Sequence, residues 1–274
     1  MERKKLEIEE IKHIEVDILK HVVKICNRHK LRYFLAYGTL LGAVRHQGFI
    51  PWDDDIDICM PRPDYDKFIE IWQKEKTLNE SLNFGLLFPS PGNNYFYEFA
   101  KVTATDTVCE VNLPILDIKG LGIWIDIFPL DGMPAKKSLH MRKVCLWRQM
   151  RSLSVYTEVP IKKITDAFIY VAWKCCQLVG WRFFQNKVLK LAKKYPYEHS
   201  ERTACVALAE DYHQIYPRQI FNQTVSVPFE GEYFNSPKDF DFYLKRTYGD
   251  YMKLPPIEQQ VSLHQFDAYK ILKQ

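Results

Sequence analysis

The 274-residue sequence lacks the patterns by which several large enzyme and membrane-protein classes are recognised. It contains no G-x-S-x-G elbow, no H-E-x-x-H zinc motif and no Walker lysine loop, so these three types of catalytic site are excluded. Residues 167–181 are apolar apart from Lys174 and Gln177, but they are too few for a bilayer span of about 20 residues. The charged first residues do not form a secretory signal, and we therefore expect a cytoplasmic protein.

Cysteine is sparse and shows no pairing pattern. The seven cysteines are an odd number, without a C-x-x-C pair or a metal-type spacing, so we expect reduced thiols. The composition, with 47% hydrophobic and 26% charged residues, is globular and excludes a disordered, collagen-like or disulfide-rich chain. The length fits one large domain or one domain with an appended lobe.

The net charge of +4 conceals a strong segregation of charge along the chain. Residues 136–195 contain 14 Lys or Arg against two acids, a balance of +12, which leaves 24 basic and 32 acidic residues elsewhere. The basic region either docks on an anionic membrane, holds a polyanionic glycan precursor or is a solvated helical face. Nucleic acid is not expected as a partner, because no recognition motif accompanies the charge.

Hydrophobic periodicity predicts a mixture of helices and strands. It favours a helix over 6–26, strands over 31–37, 56–60, 84–88, 95–102, 107–113 and 121–128, and helices within 138–194. A hairpin is predicted over 225–234 with its turn at Gly231, followed by a helix that starts at Ser236 and ends at Gly249. We expect an α+β fold with a mixed sheet: a catalytic core over 1–135, a basic helical lobe over 136–200 and a C-terminal segment, 201–274, that packs back on the core.

The densest chemical signal is a run of four carboxylates in five residues, 53–57, ahead of an apolar strand. Like charges this close repel each other unless a cation neutralises them. Side chains two apart in a strand share a face, so Asp55 and Asp57 should project together while Ile56 and Ile58 enter the core. Carboxylate oxygens suit hard divalent metals. An EF-hand is excluded, because its sixth position lacks glycine and its twelfth lacks glutamate.

A third carboxylate and a glycine turn complete the predicted site. Asp126 lies between two isoleucines in a strand-like run, where an acid is costly unless it meets a charge or a metal. Upstream, Gly38 and Thr39 are predicted at a strand-to-helix turn, whose amides and hydroxyl can hold phosphate oxygens. A glycine turn followed by acid-apolar-acid resembles the arrangement of nucleotidyltransferase folds.

A more specific resemblance extends over residues 33–68. This stretch contains Tyr-Gly-Thr-Leu-Leu-Gly-Ala-Val-Arg-His ahead of Pro-Trp-Asp-Asp-Asp-Ile-Asp-Ile, and it resembles the LicD family of phosphotransferases, to which fukutin and fukutin-related protein are also similar. Trp-Ile-Asp-Ile-Phe-Pro-Leu-Asp at 124–131 and Tyr-Gly-Asp-Tyr-Met-Lys-Leu-Pro-Pro at 248–256 support it. Together these motifs frame nearly the whole chain.

The resemblance implies a nucleotidyltransferase-like fold that moves a phosphoalcohol from a CDP-activated donor to a sugar hydroxyl and releases CMP. We expect CDP-choline as the donor and teichoic acid or another cell-surface glycan, free or lipid-linked, as the acceptor. Two Mg²⁺ ions, or Mn²⁺ in their place, would clamp the donor pyrophosphate. The predicted catalytic and metal-binding residues are Asp55, Asp57 and Asp126. The predicted substrate-binding residues are Gly38, Thr39, Arg45, His46, Trp52, Asp53 and Lys101.

Several alternatives stay open at this point. The same metal site would serve CDP-ribitol or CDP-glycerol, a true nucleotidyltransferase would release pyrophosphate instead of CMP, and a non-catalytic member would only bind a membrane or partner. Choline is a quaternary ammonium that aromatic faces attract, and Trp52, Trp124, Tyr95 and Tyr97 are candidates for holding it as well as for the core. The protein is expected in the cytoplasm, with the inner face of the cell membrane as its alternative location.

Overall fold

The computed structural model describes residues 2–78, 83–134, 139–159, 166–208, 214–261 and 266–272. These residues form helices together with mixed sheets, which confirms the α+β class. The α-helices are α1 (Ile8–His29), α2 (Tyr37–His46), α3 (Arg62–Leu78), α4 (Leu139–Val155), α5 (Asp166–Val179), α6 (Trp181–Ala192) and α7 (Phe240–Tyr248). The β-strands are β1 (Arg3–Lys5), β2 (Phe34–Leu35), β3 (Asp57–Pro61), β4 (Phe84–Leu87), β5 (Ala100–Ala104), β6 (Thr107–Val111), β7 (Trp124–Met133), β8 (Arg202–Ala204), β9 (Tyr216–Pro217), β10 (Thr224–Phe229), β11 (Glu232–Pro237) and β12 (Phe266–Ile271).

A seven-stranded sheet lies at the centre of the fold. Its strand order is β2-β3-β7-β5-β4, and β8 and β9 extend it where β8 pairs with the far end of β7. β3 and β7 run parallel, whereas the other neighbours on this path are antiparallel. The parallel register places Asp57 opposite Asp126. Two acidic segments that are distant in sequence therefore become direct neighbours.

Helix α1 covers one part of this sheet and extends three residues past its predicted end. Glu7 and Glu10 form a capping box at its start, in which the Glu10 carboxylate accepts the Glu7 N–H at 3.0 Å. Lys30 ends the helix in the left-handed region, with φ 54°. The apolar face follows the predicted periodicity and buries Ile11, Ile18, Leu19, Val22, Ile25 and Cys26.

The predicted strand over 95–102 was wrong at its start, because β5 begins only at Ala100. The carbonyl groups of Tyr95 and Tyr97 accept hydrogen bonds from the Gln185 side-chain amide of α6, at 3.0 and 2.8 Å. These hydrogen bonds satisfy the carbonyl groups of Tyr95 and Tyr97, which therefore need no partner on a neighbouring strand. The aromatic residues of 95–99 therefore reflect packing against α6 and the core.

The C-terminal region confirms the hairpin and corrects the helix after it. β10 and β11 pair around Gly231, which has φ 77°. Ser236 was predicted to cap the next helix, but β11 continues through Pro237 because both residues remain paired with β10. Helix α7 starts after Asp239 and ends at Gly249, as predicted for its end.

The tip of this hairpin holds the segment that leads into the acidic motif. The Glu230 carboxylate accepts the Phe49 N–H at 3.0 Å, and the Glu230 N–H donates to the Gln47 carbonyl at 3.0 Å. A Cβ at Gly48 would collide with the Glu230 carboxylate, so a larger residue there would push this side chain away from Phe49. The C-terminal region thus packs back on the core at this point.

Helices α4, α5 and α6 confirm the helical prediction over 138–194, of which 138 and 160–165 lie outside the described residues. α4 and α6 help to enclose a small hydrophobic cluster that is separate from the main core. α5 and α6 are distinct helices because Gly180 lies between them at φ 84°. No helix in the described ranges is long and apolar enough to cross a membrane. The three-part domain division stays a prediction.

Candidate active site

The acidic motif enters the sheet at the start of β3. Ile56 and Ile58 are fully buried, as predicted, and Asp57 is the first residue of the strand. Asp55 precedes the strand and is exposed to solvent. The Asp126 N–H donates to the Ile56 carbonyl at 2.9 Å, so the hydrogen bonds of the sheet itself hold the two acidic segments together.

Gly38 and Thr39 lie in the first turn of α2 and support the acidic motif. The Thr39 hydroxyl accepts the Asp57 N–H at 2.7 Å and lies 3.5 Å from the Asp55 carbonyl, to which it donates. A Cβ at Gly38 would lie 2.7 Å from Asp53 Oδ2, so a larger residue there would displace the Asp53 carboxylate. This pair therefore positions the carboxylates, and its predicted contact with phosphate stays a prediction.

A cavity of about 770 Å³ opens beside the acidic motif. One wall comes from the three-stranded sheet β1-β12-β6, and the segment 113–121 adds apolar side chains. Volumes of this size are typical of small-molecule and cofactor sites. The acidic residues around the cavity are Glu15, Asp53, Asp54, Asp55, Glu110, Asp117 and Asp126.

Burial and mutual repulsion raise the pKa values of the central carboxyls. Although Asp55 reaches solvent, it is surrounded by protein atoms, and burial followed by the charges of Asp53 and Asp126 raises its pKa to about 8. Burial is the main cause that raises the pKa of Asp57 and of Asp126, with further repulsion from Asp55 at Asp57. A nearby cation would oppose these shifts by stabilising the ionised carboxylates.

Lys101 places one positive charge inside this acidic group. It lies opposite Asp126 in the register of β5 and β7, and its ammonium is 2.6 Å from Asp126 Oδ1. The same ammonium lies over the rings of Trp124 at 4.4 Å, Tyr97 at 5.3 Å and Phe99 at 5.3 Å. Two of the four aromatic candidates for choline thus contact a lysine of the protein. The phosphate contact predicted for Lys101 stays a prediction.

The other predicted residues lie farther along the same face. Arg45 and His46 end α2, where Arg45 Nε donates to His46 Nε2 at 2.9 Å and Arg45 also binds the Tyr251 carbonyl at 3.0 Å. Burial, followed by the charge of Arg45, lowers the pKa of His46. Among the described cavity-lining residues neither appears, nor does Trp52, which packs against the core. Their substrate contacts stay predictions.

Comparison with known proteins agrees with the resemblance found in the sequence. A family model described as "LicD/FKTN/FKRP, nucleotidyltransferase domain" matches residues 30–150, which include Asp55, Asp57 and Asp126. The "Lipopolysaccharide cholinephosphotransferase LicD" of Haemophilus influenzae is 31% identical over an alignment of 284 residues, covering 97% of this chain and 99% of that protein. The chain belongs to the LicD family. An uncharacterized protein of Rickettsia typhi is 35% identical over 71 residues, or 26% of this chain and 23% of that protein.

Membership of the LicD family confirms the expectation of a transferase enzyme. The family model ends within α4, whereas the similarity to the Haemophilus protein extends through the basic helices and the C-terminal region. The motifs that carry the resemblance are short, but the alignment shows that the similarity extends over nearly the full chain.

Two further residues beside the acidic motif were not among the predicted site residues. Glu15 of α1 is buried beside the acidic motif, and burial followed by the charges of Asp55 and Asp54 raises its pKa well above the usual range. Tyr248, at the end of α7, lies close enough to Asp57 for that carboxylate to raise its pKa, after burial as the main cause. The sequence signal that could have identified Glu15 is its position as an acid on the apolar face of α1.

The carboxylate oxygens around the cavity suit hard divalent cations, although they are not arranged as a complete metal-binding site. Within the described residues, no three His, Cys, Asp or Glu side chains converge closely enough to hold a metal ion. Lys101 holds one oxygen of Asp126 in this arrangement. The chemistry still fits, because carboxylate oxygens bind such ions and because these acids exceed the cations beside them. Asp55, Asp57 and Asp126 remain the predicted ligands.

Proposed function

We propose that the protein transfers phosphocholine from CDP-choline to a sugar hydroxyl of a cell-surface glycan and releases CMP. The Haemophilus relative, a lipopolysaccharide cholinephosphotransferase, supports the transferred group and the glycan acceptor through similarity over nearly the full chain. The structural observation that carries the proposal is the parallel register that sets Asp57 beside Asp126, which lines a cavity of ligand size.

Asp55, Asp57 and Asp126 are the residues that would hold two Mg²⁺ ions, or Mn²⁺ in their place. When bound, the metal supplies positive charge that offsets the donor pyrophosphate and the leaving CMP. The protein orients these ligands through hydrogen bonds: Thr39 fixes the backbone of Asp57, and Lys101 holds the side chain of Asp126.

The reaction exchanges one phosphorus–oxygen bond for another. The acceptor hydroxyl oxygen bonds to the phosphorus that carries choline, and the bond from that phosphorus to the oxygen bridging to CMP breaks. CMP leaves with the bridging oxygen, and the hydroxyl proton passes to a carboxylate, which we assign to Asp126. Asp126 lines the cavity, which is the reason for choosing it as the carboxylate that meets the acceptor hydroxyl.

Product analysis tests this function against its alternatives. The protein is incubated with Mg²⁺, a membrane glycan extract and CDP-choline, CDP-ribitol or CDP-glycerol in turn, with Asp57→Asn as the control. We expect CMP and labelled glycan from CDP-choline alone. CMP from another donor would identify a different phosphoalcohol, pyrophosphate from a nucleoside triphosphate would identify a nucleotidyltransferase, and no product from any donor would favour a non-catalytic role.

An exposed apolar face on α5 supports contact with an anionic membrane as part of this function. Phe168 and Leu178 are 82% and 88% exposed, and Val171 is also exposed, within a region of strong positive charge. Apolar side chains beside basic ones are typical of helices that lie on anionic lipid. We therefore place the protein at the inner face of the cell membrane, where a lipid-linked glycan would be within reach.

Hydrogen bonds connect the buried side of α5 to the cavity. The Trp173 indole of α5 donates to the Tyr156 carbonyl at 3.0 Å, and the next residue, Thr157, donates its N–H to the Pro114 carbonyl at 2.8 Å. The segment that begins here lines the cavity through Ile115 and its neighbours. Helix α5 is therefore joined to the cavity wall through residues 156–157 and 114–115.

Vesicle sedimentation tests the membrane contact. Phe168→Ser combined with Leu178→Ser should reduce binding to phosphatidylglycerol vesicles about tenfold or more, because each change removes an apolar side chain from the lipid. Ile257→Ser is the matched control, since Ile257 is 77% exposed but lies outside the basic region. Equal binding of both variants would contradict the contact, and loss of self-association instead would identify α5 as an interface between copies.

A further inference from the structure

The most unusual buried group in the cavity is the carboxylate of Glu15. Its residue is 3% exposed, and Oε2 has no hydrogen-bond partner within the described part of the chain. Yet Glu15 lines the same cavity as Asp55 and Asp126. A buried charged oxygen without a partner is costly, so a group at this position is retained only if something else compensates it.

The cations of the cavity do not compensate Glu15. Among the described lining residues the basic side chains are Arg3 and Lys101. Arg3 pairs with Glu110 at 2.8 Å, and Lys101 pairs with Asp126 at 2.6 Å. Glu15 therefore faces a space that holds more negative than positive protein charge, and this space attracts a cationic ligand.

The cavity that Glu15 lines suits a particular kind of cation. The cavity wall includes the rings of Trp124 and Phe266, whose centroids lie 4.7 Å apart, together with Val108 and Leu121. A metal ion requires several oxygen ligands, and a primary amine requires hydrogen-bond acceptors for each N–H. A quaternary ammonium has no N–H to satisfy and binds well where one negative charge is combined with aromatic and apolar surface.

We propose that Glu15, with Trp124 and Phe266, forms the subsite for the trimethylammonium group of the donor. This inference rests on the proposed function and deepens it, because it names the residue that would select choline over an uncharged alcohol. The acids at the start of β3 and β7 would then act on the pyrophosphate, while α1 and β12 would hold the alcohol. Glu15 is thus a specificity-determining residue of the donor site.

Calorimetric titration in the presence of Mg²⁺ tests the subsite. Wild type, Glu15→Gln and Asp17→Asn are each titrated with CDP-choline, CDP-glycerol and CMP. Asp17→Asn is the matched control, since it makes the same charge change on an exposed position of α1. We expect Glu15→Gln to weaken CDP-choline binding by about tenfold or more while binding of the other two ligands stays within about twofold. Asp17→Asn should resemble wild type.

Other outcomes overturn the inference in distinguishable ways. An equal loss for all three ligands would show that Glu15 acts on the nucleotide or the metal, and no loss would show that it does not bind the donor. If wild type binds CDP-choline no better than CDP-glycerol, the proposed donor is wrong and the proposed subsite is wrong as well. Phe266→Leu offers a second variant that keeps the wall apolar. It should weaken CDP-choline alone by about fivefold, and an unchanged affinity would remove Phe266 from the subsite.

Discussion

Asp126 and Asp131 lie on one strand, β7, and show two opposite solutions for a buried carboxylate. Asp131 is matched by Arg62, which donates two hydrogen bonds of 2.6 and 2.8 Å. Asp126 shares a single lysine with several neighbouring acids, and at least one of them, Asp57, lies directly opposite it. The first arrangement is complete within the protein, whereas the second leaves negative charge that the proposed metal ions would offset.

A second buried carboxylate that is matched by an arginine strengthens this contrast. Glu98 and Arg151 join the core to α4 through two hydrogen bonds of 3.0 and 2.9 Å, and both side chains are buried. In the described residues, the acids with matched arginines hold elements together, and the acids in excess line the cavity. Buried charge thus marks function only where the protein leaves it unmatched.

The largest effect expected from this contrast is on catalysis. Asp57→Asn should reduce transfer about a thousandfold, because it removes a metal-ligand charge at nearly constant volume. Its folding should be unaffected or improved, since repulsion from Asp55 and Asp126 is relieved. CMP release measures the first effect and thermal unfolding the second. Turnover like that of wild type would rule out the metal assignment.

Removing the charge of Asp131, which is paired with Arg62, should instead lower the stability of the protein. Asp131→Asn leaves the Arg62 guanidinium buried without its charge partner, and it should destabilise the protein by about 3–5 kcal/mol. Chemical denaturation measures this loss. Asp126→Asn on the same strand is the control and should cost much less. Similar losses in both variants would erase the distinction between the two aspartates.

A smaller effect is expected from pH in the absence of divalent metal. Asp55 has a folded pKa of about 8, whereas an unfolded aspartate has about 3.9. The folded state therefore binds the proton more tightly, and its stability should fall as pH rises from about 4 towards 8. Thermal unfolding in EDTA at pH 5 and pH 8 measures the slope, and Asp55→Asn should reduce it. A slope unaffected by the substitution would contradict the assigned cause.

An exposed ion pair should show the smallest change. Arg28 lies 3.0 Å from Glu75, with about half of the Arg28 side chain exposed. Solvent screens such a pair, so Arg28→Met should change the free energy of unfolding by less than about 1 kcal/mol. Denaturation alongside Asp131→Asn provides the comparison, and a loss as large as that of Asp131→Asn would show that burial is not what separates these pairs.

The sequence predicted those parts of the site that depend on short local patterns. Asp57 and Asp126 could be found because each follows or lies within an apolar strand, and Gly38 because it belongs to a turn-like motif. Glu15 could not be assigned, because its role depends on where α1 packs against strands that are distant in sequence. The ion pair of Lys101 likewise depends on the register of β5 with β7, which no local pattern specifies.

The same distinction explains the errors in the fold. The aromatic run over 95–99 is typical of a strand, but the carbonyl groups of Tyr95 and Tyr97 accept hydrogen bonds from Gln185, which comes much later in the chain. Ser236 is a good helix cap in isolation, yet pairing with Val225 keeps it in β11. In both cases a distant partner overrides a local preference.

The position of β12 between β1 and β6 has a consequence for the order in which the protein is made. Asp126, the last of the three predicted metal ligands, precedes Phe266 by 140 residues in the sequence. The wall of the cavity that contains Phe266 and Ile271 can join only after β12 has been translated. A nascent chain thus carries its acids long before it can enclose a donor, so translation itself delays the appearance of a competent enzyme.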